Sequence, residues 1–346
     1  MILEEIQIEG FRSLKSVTWR PGRLNVLIGP NGGGKSNLLR ALDLIRIGAL
    51  SDLRDAILRM GGMAALVWDG EARQIDIRVA LSTDQAGSLN YELRLKRLGN
   101  TGDVKVDLTE FPRSQQGALM AHLANLGRLH PEVGNWSIHN DTRVDQDAEL
   151  RRAPVTRLER RVDSDGQNLI AVLHTLYTTS AEFEAFIDDS MKAAFPDDYE
   201  KLSFPPAEDG RVQMRLKRKH RKRADSAADL SDGTMRFLLL LTILGSPDAG
   251  SLIAIDEPEA GLHPRMMSII TAVAANTALK SQVIFTTHSP QFLDAFDKDE
   301  PPVTTVVTSD GAATELKTIS GEELKKWVEG YSLSRFAFSG EAEAVL

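Results

Sequence analysis

One octapeptide constrains this chain more than any other feature. Gly29-Pro30-Asn31-Gly32-Gly33-Gly34-Lys35-Ser36 fits the pattern G-x-x-x-x-G-K-[ST]. Before it lies the apolar run Leu24 to Ile28, which reads as a buried strand; after it Leu38, Leu39, Leu42 and Ile45 recur with helical spacing. In such a strand–turn–helix setting, glycines let successive backbone N–H groups converge on phosphate oxygens, and the helix start adds a favourable dipole. Asn31, Gly32, Gly33, Gly34, Lys35, Ser36 and Asn37 are therefore the expected nucleotide-binding residues. Lys35 is placed to reach the β- and γ-phosphates, and the Ser36 hydroxyl to ligate Mg²⁺.

Three further segments carry chemistry. Ser251 to Pro258 is an apolar strand ending in two acids, of which Asp256 is expected to hold Mg²⁺ and Glu257 to act as general base on water. Val283 to Pro290 is a second apolar strand, ending in His288, which can hydrogen-bond a γ-phosphate or the attacking water. Leu230-Ser231-Asp232-Gly233-Thr234 precedes the apolar helix 235–244. Ser231 or Asp232 reads as its N-cap, and a capped helix start beside a glycine is also a second phosphate site. Such a site needs a second nucleotide, or one nucleotide shared between two chains.

Composition excludes several classes. With 42 % hydrophobic and 26 % charged residues among 346, the chain is neither disordered nor fibrous. The formal charge of −8 means nucleic acid can be gripped only by a local patch. No cysteine is present, so disulfides, thiolate metal sites and cysteine nucleophiles are out, in keeping with a cytoplasmic setting. No apolar run reaches membrane-spanning length, and Met1 to Glu5 lacks the basic start of a signal peptide, so no membrane partner is expected.

Strand and helix patterns alternate, which predicts an α/β chain with a mixed sheet flanked by helices and an inserted helical/β lobe. The expected division is 1–98, 99–229 and 230–346, all parts of one composite domain. Glycines and prolines break 99–165 too often for a long helix, which excludes a coiled-coil arm there. Residues 167–195 read as helical. Arg215 to Arg223 holds seven Lys or Arg in nine residues; without it the remainder stands at −15 instead of −8. A basic hairpin tip of this kind grips DNA phosphates, is a solvated loop, or docks on an acidic partner. Arg151, Arg152, Arg157, Arg160 and Arg161 form a second cluster, which faces phosphate or pairs with Asp147, Glu149 and Glu159 nearby. His122, His130, His139, His174 and His220 show no metal-ligand spacing.

The order Gly29–Ser36, Leu230–Thr234, Ile253–Glu257 and His288 resembles the ABC-type ATPase heads. Within the ABC/SMC superfamily it is most similar to the RecF-like and OLD-like AAA-type ATPases of bacteria. Shared with these are Ile8 to Leu14, Glu259 to Pro264, Asp165 to Leu169, the Thr-Thr-His-Ser-Pro end, and the tail around Trp327 and Tyr331-Ser332-Leu333. The resemblance implies a P-loop NTPase fold that hydrolyses ATP with Mg²⁺. It also implies a homodimer closed by ATP, in which Ser231, Asp232 and Gly233 of one copy face the γ-phosphate at Lys35 of the other. By the same resemblance Arg12 approaches the nucleotide. Met235 stands where transporter ATPases keep a glutamine nearby, which weighs against a transporter subunit; Gln167 is a glutamine-loop candidate or simply an exposed glutamine. His263 occupies a dimer-facing loop position or a helix entry. OLD-like nucleases carry a metal-dependent domain after the ATPase; 58 residues follow His288, so nuclease work is expected in a separate effector. The implied role is a conformational switch in DNA repair or anti-phage defence. The alternatives are a regulatory ATP-binding subunit with little turnover, or a transporter-type subunit.

Overall fold

The computed structural model describes residues 1–50, 53–70, 72–83, 87–98, 103–112 and 131–319. The expected tail motif around Trp327 and Tyr331, and His122 and His130, lie outside the described residues. Strands β1 (Ile2–Phe11) and β2 (Leu14–Trp19) form the expected hairpin, with Ile6 opposite Trp19 and Ile8 opposite Val17. Its tight turn puts Gly10 and Arg12 at positive φ. β3 (Leu24–Ile28) leads through the glycine loop into α1 (Lys35–Leu50), followed by the short helices α2 (Leu53–Arg59) and α3 (Met63–Leu66). β4 (Gln74–Thr83), β5 (Gly87–Leu98) and β6 (Asp103–Pro112) complete an antiparallel sheet of order β2-β1-β4-β5-β6. That sheet continues past residue 98, because Leu98 pairs with Asp103.

After α4 (Pro131–Gly134) comes β7 (Ser137–His139), then α5 (Leu169–Thr179) and α6 (Ala181–Ala194). The helical stretch expected over 167–195 is thus two helices. Ser180 takes an extended conformation and caps the second one, its hydroxyl accepting from Phe183 N at 3.2 Å. β8 (Tyr199–Ser203), β9 (Arg215–Arg218) and β10 (Asp225–Ser226) form a small antiparallel sheet whose last turn is the basic segment. α7 (Asp232–Gly245), β11 (Leu252–Asp256), α8 (Pro264–Thr277), β12 (Gln282–Thr287), α9 (Pro290–Asp294), β13 (Val303–Ser309) and β14 (Thr314–Ile319) follow.

The central sheet has the order β14-β13-β3-β12-β11-β7; only the β13–β14 pair is antiparallel. Strand alternation divides its apolar side chains between two cores. Val26, Ile28, Ile253, Ile255, Val283 and Phe285 face the layer containing α5 to α8. Leu27, Ala254, Ile284 and Val307 face α1 and the antiparallel sheet. Gln282 pins the two sheets together: its side chain accepts from Leu3 N at 2.9 Å and donates to Leu3 O at 3.0 Å. Among the described residues no helix is long and apolar enough to cross a membrane.

Candidate nucleotide site

Five parallel strands end at one edge, where ligands of open α/β sheets bind. β3, β7, β11, β12 and β13 deliver Gly29, Asn140, Glu257, His288 and Asp310 there.

The glycine loop is shaped by close backbone approach. A Cβ at Gly29 would sit 2.0 Å from Val307 O, and one at Gly34 (φ +109°) 2.1 Å from Thr314 Oγ1. Thr314 Oγ1 lies 2.9 Å from Gly33 O and 2.8 Å from Ser13 Oγ, which accepts from Asn37 Nδ2 at 2.8 Å. Three distant segments therefore hold the loop. Lys35 is buried and donates to Gly29 O at 2.8 Å and Pro30 O at 3.0 Å. Burial lowers its pKa; the field of Glu257, Asp256 and Glu259 works against that. Asn31 and Gly32 are exposed on the open side of the loop, and nothing lies within 4 Å of a Cβ at Gly32. Ser36 and Asn37, in the first turn of α1, are partly exposed. Arg12, the residue before Ser13 in the β1–β2 turn, has its Nε buried and unpartnered; burial and neighbouring Arg40 lower its pKa.

The acids are fixed by the strand beside them. Asp256 accepts a hydrogen bond from Thr286 Oγ1. Glu257 is held in the left-handed region (φ 46°), its N–H donating to Thr286 O at 3.1 Å. Its Oε1 lies 3.0 Å from His288 Nδ1, and both side chains are about half exposed (43 % and 45 %). Buried Glu259 accepts from Thr287 Oγ1 at 2.5 Å through one oxygen; its other oxygen has no partner, and burial raises its pKa.

Ser231 caps α7, accepting from Thr234 N at 3.2 Å. Ser231 and Asp232 are exposed. Gly233 leans on the loop after β11, where a Cβ would be 2.5 Å from Gly261 O. Arg236, one turn further along α7, donates to Thr142 Oγ1 at 2.7 Å and Thr142 O at 3.1 Å. Burial lowers its pKa, opposed by Glu259, Glu257 and Asp232.

The chain thus brings Lys35, Asp256, Glu257 and His288 together, with Ser231 to Gly233 on the far flank of the same acidic loop. His263 is the N-cap of α8, its Nδ1 accepting from Arg265 N at 3.3 Å. Gln167 is tied into its own loop: its amide donates to Arg143 O and Asp165 O, and its oxygen accepts from Leu150 N. One residue escaped sequence reasoning, and a second has a partner that the sequence did not suggest. Asn140, beside the Asp256 end of β11, has a buried side-chain oxygen without a partner. A three-residue strand gives too little alternation to announce it. Arg151 is not a surface cation but a buried one, bonded to Asp232 at 2.5 Å. Of its cluster, Arg152 pairs with Glu149, Arg160 with Asp248, and Arg161 with Asn135.

Fold and site together define an ABC-type P-loop ATPase head. A family described as "AAA domain, putative AbiEii toxin, Type IV TA system" matches residues 24–294, and the chain belongs to it, as an ABC/SMC-superfamily ATPase of RecF/OLD type. It is 23 % identical over 326 residues to an OLD nuclease of Thermus scotoductus, covering 85 % of this chain and 60 % of that one. It is 32 % identical over 104 residues to the DNA replication and repair protein RecF of Moorella thermoacetica, covering 29 % of this chain and 26 % of RecF. The chain thus spans at most three fifths of these curated relatives. An SMC head bound to the C-terminal winged-helix domain of ScpA superposes with a TM-score of 0.64 at 16 % identity, covering 94 % of this chain and all of that one. An SMC head with an extended coiled coil, bound to a ScpA C-terminal domain derived from Pyrococcus furiosus, gives 0.62, also at 16 % identity, covering 94 % of this chain and 98 % of that one.

Proposed function

We propose that this ATPase head is a conformational switch that closes on a second copy of itself across ATP and opens on hydrolysis. One observation carries the reading. The phosphate loop, the acids and His288 share one sheet edge, while Ser231 and Asp232 on its flank stay exposed. A second copy related by a two-fold axis can bring its own exposed turn to this γ-phosphate, which makes two equal sites.

The residues fit Mg²⁺. Ser36 and Asp256 offer a hydroxyl and a carboxylate, hard oxygen donors of the kind Mg²⁺ takes alongside substrate phosphates. Bound there, the ion would neutralise phosphate charge. Lys35 exchanges its two loop carbonyls for phosphate oxygens. Arg12, with an unpartnered Nε, adds a cation beside the loop. Glu257 takes the proton of the attacking water, and His288 holds that carboxylate in place.

The basic hairpin supports a role on DNA, narrower than its sequence suggests. Arg218 is bound by Asp198 and Asp225, Arg221 by Asp225, and Lys217 and Lys219 donate to backbone carbonyls. Exposed Lys222 and Arg223 at the tip remain for phosphate. In this reading the switch serves DNA repair or defence against phage.

Size exclusion of Glu257→Gln protein with and without ATP tests the switch. An ATP-dependent shift to dimer is expected; Glu257→Gln protein that hydrolyses ATP at the wild-type rate would overturn the base assignment.

A further inference from the structure

The first turn of α7 is gripped from inside the protein by one buried cation. The Arg151 side chain is 1 % exposed and reaches five acceptors on two stretches of chain, 144–145 and 227–232. Its Nε donates to Val144 O at 2.9 Å and Asp145 O at 2.8 Å. Its Nη1 donates to Ala227 O at 3.1 Å and Leu230 O at 2.7 Å. Its Nη2 meets Asp232 Oδ1 at 2.5 Å. Arg151 thereby binds the residues on both sides of Ser231, and Gly233 is braced against Gly261 from the opposite side. The planar five-donor fork explains why arginine is needed: a lysine ammonium has three donors.

We propose that Arg151 is a positioning residue for the composite ATP site, holding the exposed Ser231–Gly233 turn in the shape that receives the partner's γ-phosphate. The inference rests on the switch reading above. Closing two rigid surfaces costs less ordering than closing a loose one. Loosening this turn therefore weakens dimer closure. Binding of ATP by a single copy stays intact, since the phosphate loop is held by Ser13, Asn37 and Thr314 instead.

The test adds Arg151→Gln or Arg151→Lys to the Glu257→Gln protein. ATP affinity is measured on dilute monomer, and ATP-driven assembly by size exclusion over a range of protein concentrations. Arg151→Gln is expected to raise the half-assembly concentration about tenfold or more while monomer affinity changes less than about twofold, and Arg151→Lys to fall between. Assembly of Arg151→Gln protein equal to its parent overturns the inference. So does a parallel loss of monomer ATP binding in both variants, which marks a general stabiliser. If the Glu257→Gln parent itself stays monomeric with ATP, the sandwich is refuted first and the role of Arg151 falls with it.

Discussion

His288 Nδ1 lies 3.0 Å from Glu257 Oε1, across 31 residues of sequence. The contact exists because β11 and β12 are parallel neighbours in register, Asp256 opposite Thr286, so Glu257, one residue past that pair, and His288, two past it, emerge at the same sheet edge. If this bond aims Glu257 at water, His288→Ala slows turnover about a hundredfold. Nucleotide affinity, set largely at Lys35, is retained. Steady-state ATPase rates paired with calorimetric binding check the split; an unchanged rate would remove His288 from the mechanism.

Lys35→Ala deletes the ammonium that bonds the phosphate loop's carbonyls Gly29 O and Pro30 O. Loss of its charge-assisted bonds to phosphate lowers nucleotide affinity roughly 10- to 100-fold. The unfolding midpoint changes little or rises, since a buried cation is removed with it. Titration calorimetry and thermal melts of the same samples decide it.

Gly34→Ala forces a Cβ to 2.1 Å from Thr314 Oγ1 and 2.9 Å from Ser13 Oγ at a φ of +109°. The variant is expected to lose about 2 kcal/mol and its nucleotide binding together. Gly32→Ala, with open space around its Cβ but a φ of +82°, meets only backbone strain, about 1 kcal/mol. Urea unfolding of both variants separates clash from strain.

Burial pushes the His139 imidazole down to about 4. Its folded pKa lies below the unfolded value of 6.5, so its contribution is complete above pH 6.5 and is lost as pH falls toward 4. The total is on the order of 3 kcal/mol. His139→Gln should flatten stability between pH 6.5 and 4, read from urea midpoints across that window.

Lys222→Gln with Arg223→Gln removes the two exposed tip cations, of which Arg223 also acts through its field on Asp229. Duplex DNA affinity is expected to fall, and the slope of log affinity against log salt to shrink by roughly 1 to 2. Filter binding at several salt concentrations measures both, and an unchanged slope rules the hairpin out as the DNA contact.

Local chemistry alone makes much of the molecule legible. The glycine loop, the acid-ended strand β11 and the β1–β2 hairpin announce themselves because each is specified by residues adjacent in sequence. The 99–165 stretch did not, and the reason is physical. β7 is three residues long and becomes a strand only by adding to the edge of β11, while β6 is recognised by its pairing with β5. In the basic segment the run of seven charges gives no sign that Asp198 and Asp225, from outside the run, neutralise part of it.

The sequence by itself determined which groups could handle a nucleotide, because a glycine turn, a lysine at a helix start and acids at a strand end depend on neighbours a few residues away. Tertiary structure alone decided how they meet. Parallel register set Glu257 against His288, and Thr314 was brought from the far end of the described chain to lock Gly33. It also turned Arg151 from one basic residue among several into the buried brace of Asp232. Such contacts join residues tens to hundreds of positions apart, and no local pattern encodes them, since they exist only once the layers pack.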